Sequence, residues 1–155
     1  MSNTPKVHKS IIRNVNFGEN VSIIEPVNIY ECEIGNNTFI GPFVEIQKNV
    51  TIGSNCRIQS HSFICELVKI KDNSFVSHGV VFINDKFSNG GPAKGDKNFW
   101  KSTIIGNNVS IGSNATILPV NICDDVVIGA GSVVTKNINE PGIYAGNPAK
   151  KLKDI

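Results

Sequence analysis

The sequence predicts an all-β parallel solenoid. Three observations carry that prediction: a strict six-residue apolar period, a turn residue once per period, and no helical period competing with either. Every sixth residue from Ile34 reads Ile34, Ile40, Ile46, Ile52, Ile58, Ile64, Ile70, Val76 and Phe82. Glycine often follows, as at Gly35, Gly41 and Gly53, and a small or β-branched residue stands two positions earlier, as at Thr38, Val44, Val50, Cys56, Val68 and Val80. A helix needs a period near 3.6 and a half-buried strand a period of 2. Six suits short strands joined by turns, each strand sending one apolar side chain inward, with Gly and Asn easing the turns. Stacked coils of this kind bury a continuous column that no single repeat could bury alone.

The repeat also divides the chain. Regular coils are expected over about 34–82 and 105–138. Within the second stretch the phase runs Ile105, Ile111, Ile117, then Ile122, Ile128, Val134, one residue short between Ile117 and Ile122, so one corner there must be tighter. Upstream, Val21 and Val27 keep the spacing but sit one residue out of register with Ile34, which predicts an irregular first coil over about 11–33. A tail follows from about 139 to 155. All of this reads as one domain spanning 1–155, a length that supports a single core.

Composition narrows the function classes. The chain is 40% hydrophobic and 18% charged, with a formal net charge of +2, so it is a compact folded protein without the basic excess that nucleic-acid binding requires. No leader-like segment opens it, and no apolar run reaches the ~18 residues of a membrane span, which points to a cytoplasmic protein with no membrane partner. Cys32, Cys56, Cys65 and Cys123 are scattered without paired spacing, so they are expected as reduced thiols in small core sites rather than disulfides or metal ligands.

The repeat breaks once. Between Phe82 and Ile105 the hexads give way to a protruding loop at about 83–104, turning at Gly90-Gly91-Pro92 and carrying Phe87, Phe99 and Trp100. An irregular stretch of that length is usually functional, an active-site wall or a subunit contact. With three hexads per coil, residues eighteen apart stack on neighbouring strands ~4.8 Å away. Glu66 and Asn84 then share one column at the root of the loop. His61 in the coil below and His78 in the coil of its base are expected to converge on the same place, with Asp85 and Trp100 at the loop's two roots as substrate contacts.

Three strings carry a resemblance: H-S-F-I-C-E (His61–Glu66), H-G-V-V-F-I-N-D (His78–Asp85) and Y-A-G-N-P-A-K (Tyr144–Lys150). With the tandem hexads, they resemble the hexapeptide-repeat acyltransferases, in particular the N-acetyltransferases of nucleotide-linked 3-amino-3,6-dideoxyhexoses. The resemblance covers about Val21 to Leu152. It implies a left-handed parallel β-helix, assembly as a homotrimer with sites between subunits, and acetyl-CoA as co-substrate with no metal. It also implies a dTDP-linked amino sugar as acceptor, a precursor of cell-surface polysaccharide, with Glu66 and Asn84 facing its amine. Two departures stand out: Pro119-Val120 replaces the usual Pro-Gly, and Ser88-Asn89 the usual Pro-Arg.

The chemistry suits these residue types. An amine attacks a thioester only as the free base, so Glu66 would orient the ammonium and help remove its proton while Asn84 fixes the nitrogen. His61 is the alternative base, and the coenzyme sulfur the alternative proton acceptor. Along the C-terminal coils the turns at Ser113-Asn114 and Ala130-Gly131 would offer amides to pantetheine. Asn147-Pro148, Lys136 and Lys150 would meet the rest of the coenzyme, its phosphates against the lysines. O-acetylation of a sugar hydroxyl, which demands a strong base such as His61 or His78, is the second enzyme reading, and a non-catalytic scaffold the third. A zinc hydratase on the same solenoid would need all three histidines, His8 included, as ligands.

Overall fold

The computed structural model describes residues 9–155. Two- to four-residue strands assemble into three sheets of seven, six and eight strands, the flat faces of a triangular prism, here called A, B and C in the order the chain visits them. One representative coil runs Phe63–Ile64 on face A, Val68–Ile70 on face B and Phe75–Val76 on face C. Pairing between coils is parallel throughout the solenoid, in the arrangement of a left-handed β-helix. No helix of the described residues is long and apolar enough to cross a membrane.

The hexad isoleucines supply the core. Ile40, Ile46, Ile58, Ile64, Ile105 and Ile117 are fully buried, and each stacks on its counterpart one coil away. Complete burial of such a side chain stabilises the fold by ~1.5–3 kcal/mol. Between the columns, Cys32, Cys56, Val44, Val80 and Ala115 fill the small site two residues earlier. Glycine appears where coils come closest: a Cβ on Gly35 would lie 2.6 Å from the carbonyl carbon of Gly53 in the next coil.

The prism's edges differ. Between faces B and C, Asn20, Asn37, Asn55, Asn73 and Asn108 take left-handed backbone, which asparagine tolerates better than most residues. Their side chains form a ladder, with Asn37 Nδ2 donating to Asn55 Oδ1 at 3.3 Å. Between faces C and A the left-handed positions are Phe43, His61, Gly79, Asn114 and Gly131. On both of these edges the inward residues keep the six-residue spacing.

All variation in length collects at the third edge, from A to B. Ile64 to Ile70 is a full hexad there, whereas Ile12 to Phe17, Ile29 to Ile34 and Ile117 to Ile122 are one residue short, and Phe82 to Ile105 carries the loop. This corrects the expected irregular first coil. Ile12, Phe17 and Ile23 pair in register with Ile29, Ile34 and Ile40. Val21 and Val27 occupy the small sites two residues before Ile23 and Ile29, so the apparent frame shift is only a shortened corner. The C-terminal tail is not another coil: Gly142–Ala145 extends face C, and Lys150–Lys153 folds back antiparallel along it. A lysine-bearing, exposed last strand suits a sheet edge that must not pair with other chains.

Candidate active site

Strand register fixes the centre of the site. Phe63 pairs with Val81, so two residues beyond Ile64 and Phe82 the side chains of Glu66 and Asn84 share one column on the A-to-B edge. Asn84 Nδ2 donates to the Glu66 carbonyl at 3.3 Å, and the Glu66 amide donates to Gln47 Oε1 at 3.3 Å. These bonds hold both residues from the scaffold side. A cavity of about 350 Å³ opens beside them, with Tyr30, Phe63, Cys65, Phe82, Phe87 and Trp100 contributing its apolar walls.

Glu66 is not the solvated turn carboxylate its residue type alone suggests. Only 9% of its side chain is exposed, and two lysines converge on it. Lys48, in the same column one coil below, approaches Oε1 to 4.0 Å, and Lys97 Nζ donates to Oε2 at 2.9 Å. A buried carboxylate requires such compensation. Its hydrogen bond to Lys97 holds the lysine's pKa above the usual range. Tyr30, at the mouth of the cavity, is also raised, first by desolvation and then by the carboxylates of Glu45 and Glu66. Burial pushes the Cys65 thiol up to about 12, which leaves it a neutral wall residue.

The loop is organised by Asp85. Its Oδ1 accepts from the Phe87 amide at 2.9 Å and its Oδ2 from the Ala93 amide at 2.7 Å. Asp85 also forms a backbone bridge with Trp100, and Lys101 donates its amide to the Asn84 carbonyl at 2.9 Å. The two roots of the loop are thereby tied together above the Glu66 column. A second cavity of about 380 Å³ lies inside the loop, between Asp85, Phe99 and the Ser88–Lys94 turn. Phe87 is 59% exposed although it lines the cavity beside Glu66.

The expected convergence of both histidines on Glu66 does not occur within this chain. His61 and His78 lie on the C-to-A edge, at the opposite end of face A's strands. There His61 stacks on Phe43 with centroids 4.8 Å apart, and His78 Nδ1 hydrogen-bonds Ser60 Oγ at 2.8 Å. The coil arithmetic placed them in the correct coils; their positions within the coil put them on another edge. His8 lies outside the described residues, and among those residues no three His, Cys, Asp or Glu side chains converge as a metal site.

The predicted coenzyme residues are only partly gathered. Ser113, Asn114, Ala130 and Gly131 follow the C-to-A edge, and the exposed Asn147-Pro148 turn caps its upper end, with Gly146 bonded to Ser132 Oγ and Val133. Lys150 begins the returning strand beside that turn. Two of the four expected amides are occupied, however: Asn114 donates to His78 and Gly131 to Ser113. Lys136 belongs to the other end of face A, between Val134 and Ile138, and does not join this group. Sequence reasoning also missed Lys48 and Lys97. The former was available from the eighteen-residue stacking rule; the latter lies in the loop, where no period operates.

Comparison with known proteins agrees with this architecture. Residues 31–66 match the bacterial transferase hexapeptide family (six repeats), and residues 102–136 match the hexapeptide repeat of succinyl-transferase. The chain thus carries two stretches of the hexapeptide repeat that these transferase models describe. Over 90% of its length it resembles AntD, an N-acyltransferase from Bacillus cereus solved in complex with dTDP and coenzyme A. The two share 27% identity with a TM-score of 0.73, and the match covers 83% of AntD. Curated relatives match locally. A probable macrolide acetyltransferase of Lysinibacillus sphaericus is 49% identical over 40% of this chain, and the galactoside O-acetyltransferase of Escherichia coli K12 is 52% identical over 33%. These matches span about a third and a quarter of the relatives' own lengths, respectively.

Proposed function

We propose that this protein transfers an acetyl group from acetyl-CoA to the amine of a nucleotide-linked amino sugar, with a dTDP-linked 3-amino-3,6-dideoxyhexose as the substrate class. One observation carries the reading: a buried carboxylate, Glu66, stands directly beside a hydrogen-bonding amide, Asn84, in an apolar cavity. That pair is a receptor for an ammonium group. The likeness to AntD, which binds dTDP and coenzyme A, supports both the nucleotide and the coenzyme.

In this mechanism Glu66 binds the sugar ammonium and lowers its freedom, while Asn84, its Nδ2 engaged by the scaffold, turns Oδ1 to an amine N–H. The ammonium gives one proton to the Glu66 carboxylate, which passes it to solvent, and the freed nitrogen lone pair attacks the thioester carbonyl. The C–S bond breaks as the C–N bond completes, and the coenzyme leaves as thiolate, which takes up the second proton that the nitrogen sheds as the amide forms. Asp85 holds the loop as a wall, and Trp100 closes the cavity that receives the sugar. The coenzyme would run along the C-to-A edge, past the remaining amides of Ser113 and Ala130 to Asn147, Pro148 and Lys150.

Assembly follows from the same reading. Face B's outward row is mostly polar, with Asn16, Glu33, Lys69 and Asn121 around a single exposed Ile104, while faces A and C set Phe63, Val81, Phe39 and Phe75 among their polar residues. A homotrimer that joins A to C would cover those two rows and bring the partner's C-to-A edge, with His61 and His78, towards Glu66. Four free cysteines and the two co-substrates fit a cytoplasmic reaction.

The test is release of free thiol from acetyl-CoA against a panel of nucleotide-linked 3- and 4-amino sugars, beside sugar-hydroxyl acceptors. Release with amines alone is expected. Release with hydroxyls alone would favour O-acetylation, the reading that the local match to galactoside O-acetyltransferase supports and that would make His61 or His78 the base.

A further inference from the structure

We propose that Lys97 is an internal counterpart of the substrate's ammonium, a cation that holds Glu66 and must be displaced from it by the incoming amine. The inference rests on the N-acetyltransferase reading above and deepens it, since it names what the amine competes with and what its arrival moves.

The chemistry of the contact comes first. Lys97 Nζ is a primary ammonium donating to Glu66 Oε2 at 2.9 Å, the same group in the same relation that an amino sugar would bring. Lys48 faces the other oxygen at 4.0 Å. Only 9% of the Glu66 side chain is exposed, so an ammonium that is to hydrogen-bond the carboxylate has to enter the space these two lysines fill. One of them gives way.

The structure distinguishes which. Lys48 rises from a rigid coil position, one step below Glu66 in the stacked column, and is 36% exposed. Lys97 comes from the loop and is 52% exposed, so its ammonium can exchange the carboxylate for water by rotating its own stem. Held above the ordinary lysine pKa by Glu66, it remains a cation at neutral pH and competes with the substrate as one ammonium with another.

Displacement would be felt through the loop. Lys97 opens the short 3-10 turn Lys97–Phe99, capped by Asp96, whose Oδ1 accepts from the Asn98 amide at 3.0 Å. Its Nζ also lies 5.3 Å from the ring centroid of Trp100, which the backbone bridge ties to Asp85. Trp100 is the chain's single tryptophan. A cation leaving its face changes the indole's surroundings, so the contact reports on itself.

Such a competitor raises the apparent KM by the fraction of molecules in which it holds the site. For a half-exposed pair the effect is modest, about 1.5- to fivefold. The test combines fluorescence with kinetics. Without ligand, Glu66→Gln should shift or quench Trp100 emission relative to wild type. In wild type a dTDP-linked 3-amino-3,6-dideoxyhexose should do the same, while dTDP alone should not. Lys97→Met should abolish the Glu66→Gln change, lower KM for the amino sugar about 1.5- to fivefold and move kcat less than twofold; Lys97→Arg should keep KM at or above wild type.

A Glu66→Gln emission identical to wild type would overturn the proposal. So would a Lys97→Met enzyme with raised KM, or with kcat lost a hundredfold, since either makes Lys97 a direct substrate or proton-transfer contact. Wild-type acetylation with KM unmoved by Lys97→Met removes the competition and leaves the functional reading standing. No acetylation of any amine by any variant removes that reading, and the proposal with it, whatever the emission shows.

Discussion

Replacing Glu66 by glutamine keeps the side chain's shape and removes its charge, which separates its two duties. As a structural group, Glu66 offers its carboxylate to Lys97 at 2.9 Å and Lys48 at 4.0 Å. Both lysines have access to water, so neither becomes a buried unpaired charge when the partner is lost, and partly exposed ion pairs stabilise little. Tm should therefore fall by no more than about 4 °C for a domain of this size. As a chemical group, Glu66 is the only buried acid in the cavity, and loss of an acid–base or positioning role costs about 10²-fold in turnover, roughly 2.7 kcal/mol of barrier. The assay is thiol release at saturating acetyl-CoA, paired with a thermal melt of the same preparation. A hundredfold loss of kcat/KM with a small shift in Tm is expected. Turnover within threefold of wild type, with the melt unchanged, would refute the assignment of Glu66, and a collapsed melt would show that its structural duty had been underestimated.

Other expectations follow from particular contacts. Gly35→Ala should lower Tm substantially, because the added methyl meets the backbone of Gly53 at 2.6 Å and backbone cannot rotate away; an unchanged urea midpoint would contradict that close approach. Asp85→Ala should leave the solenoid's melt nearly intact while limited proteolysis near Gly90-Gly91 accelerates, since the Phe87 and Ala93 amides lose their common acceptor. Burial raises the thiols of Cys32 to about 11 and Cys65 to about 12, so native protein at pH 8 should react slowly with an aromatic disulfide reagent at both, and Cys123, the half-buried one, should react first. The sign of the linkage is also fixed: below about pH 8 these thiols are neutral in both states and contribute nothing. As pH rises towards 11 the unfolded chain ionises them while the fold does not, so urea midpoints should fall across that interval.

The six-residue period determined the fold without help, because each hexad makes one strand and one corner, and every coil repeats the packing problem of the last. It also paired Glu66 with Asn84, since stacking converts a sequence distance into a spatial one. The same ruler failed at the corners. Val21 and Val27 looked out of register because a coil lacks one residue at the A-to-B edge, and the pairing of Ile29 with Ile46 beside that of Ile34 with Ile52 shows where that residue is missing. His61 and His78 were assigned to the correct coils but not to the correct edge, since stacking says how far up the prism a residue sits and only its place among the coil's three hexads says which edge it occupies. Lys97 was beyond reach. It lies in the loop where the period stops, and its ion pair with Glu66 depends on how Asp85 folds that loop back over the column. What repeats is determined locally by the sequence; what happens where the repeat is broken depends on which distant groups the chain meets, and that only the tertiary structure decides.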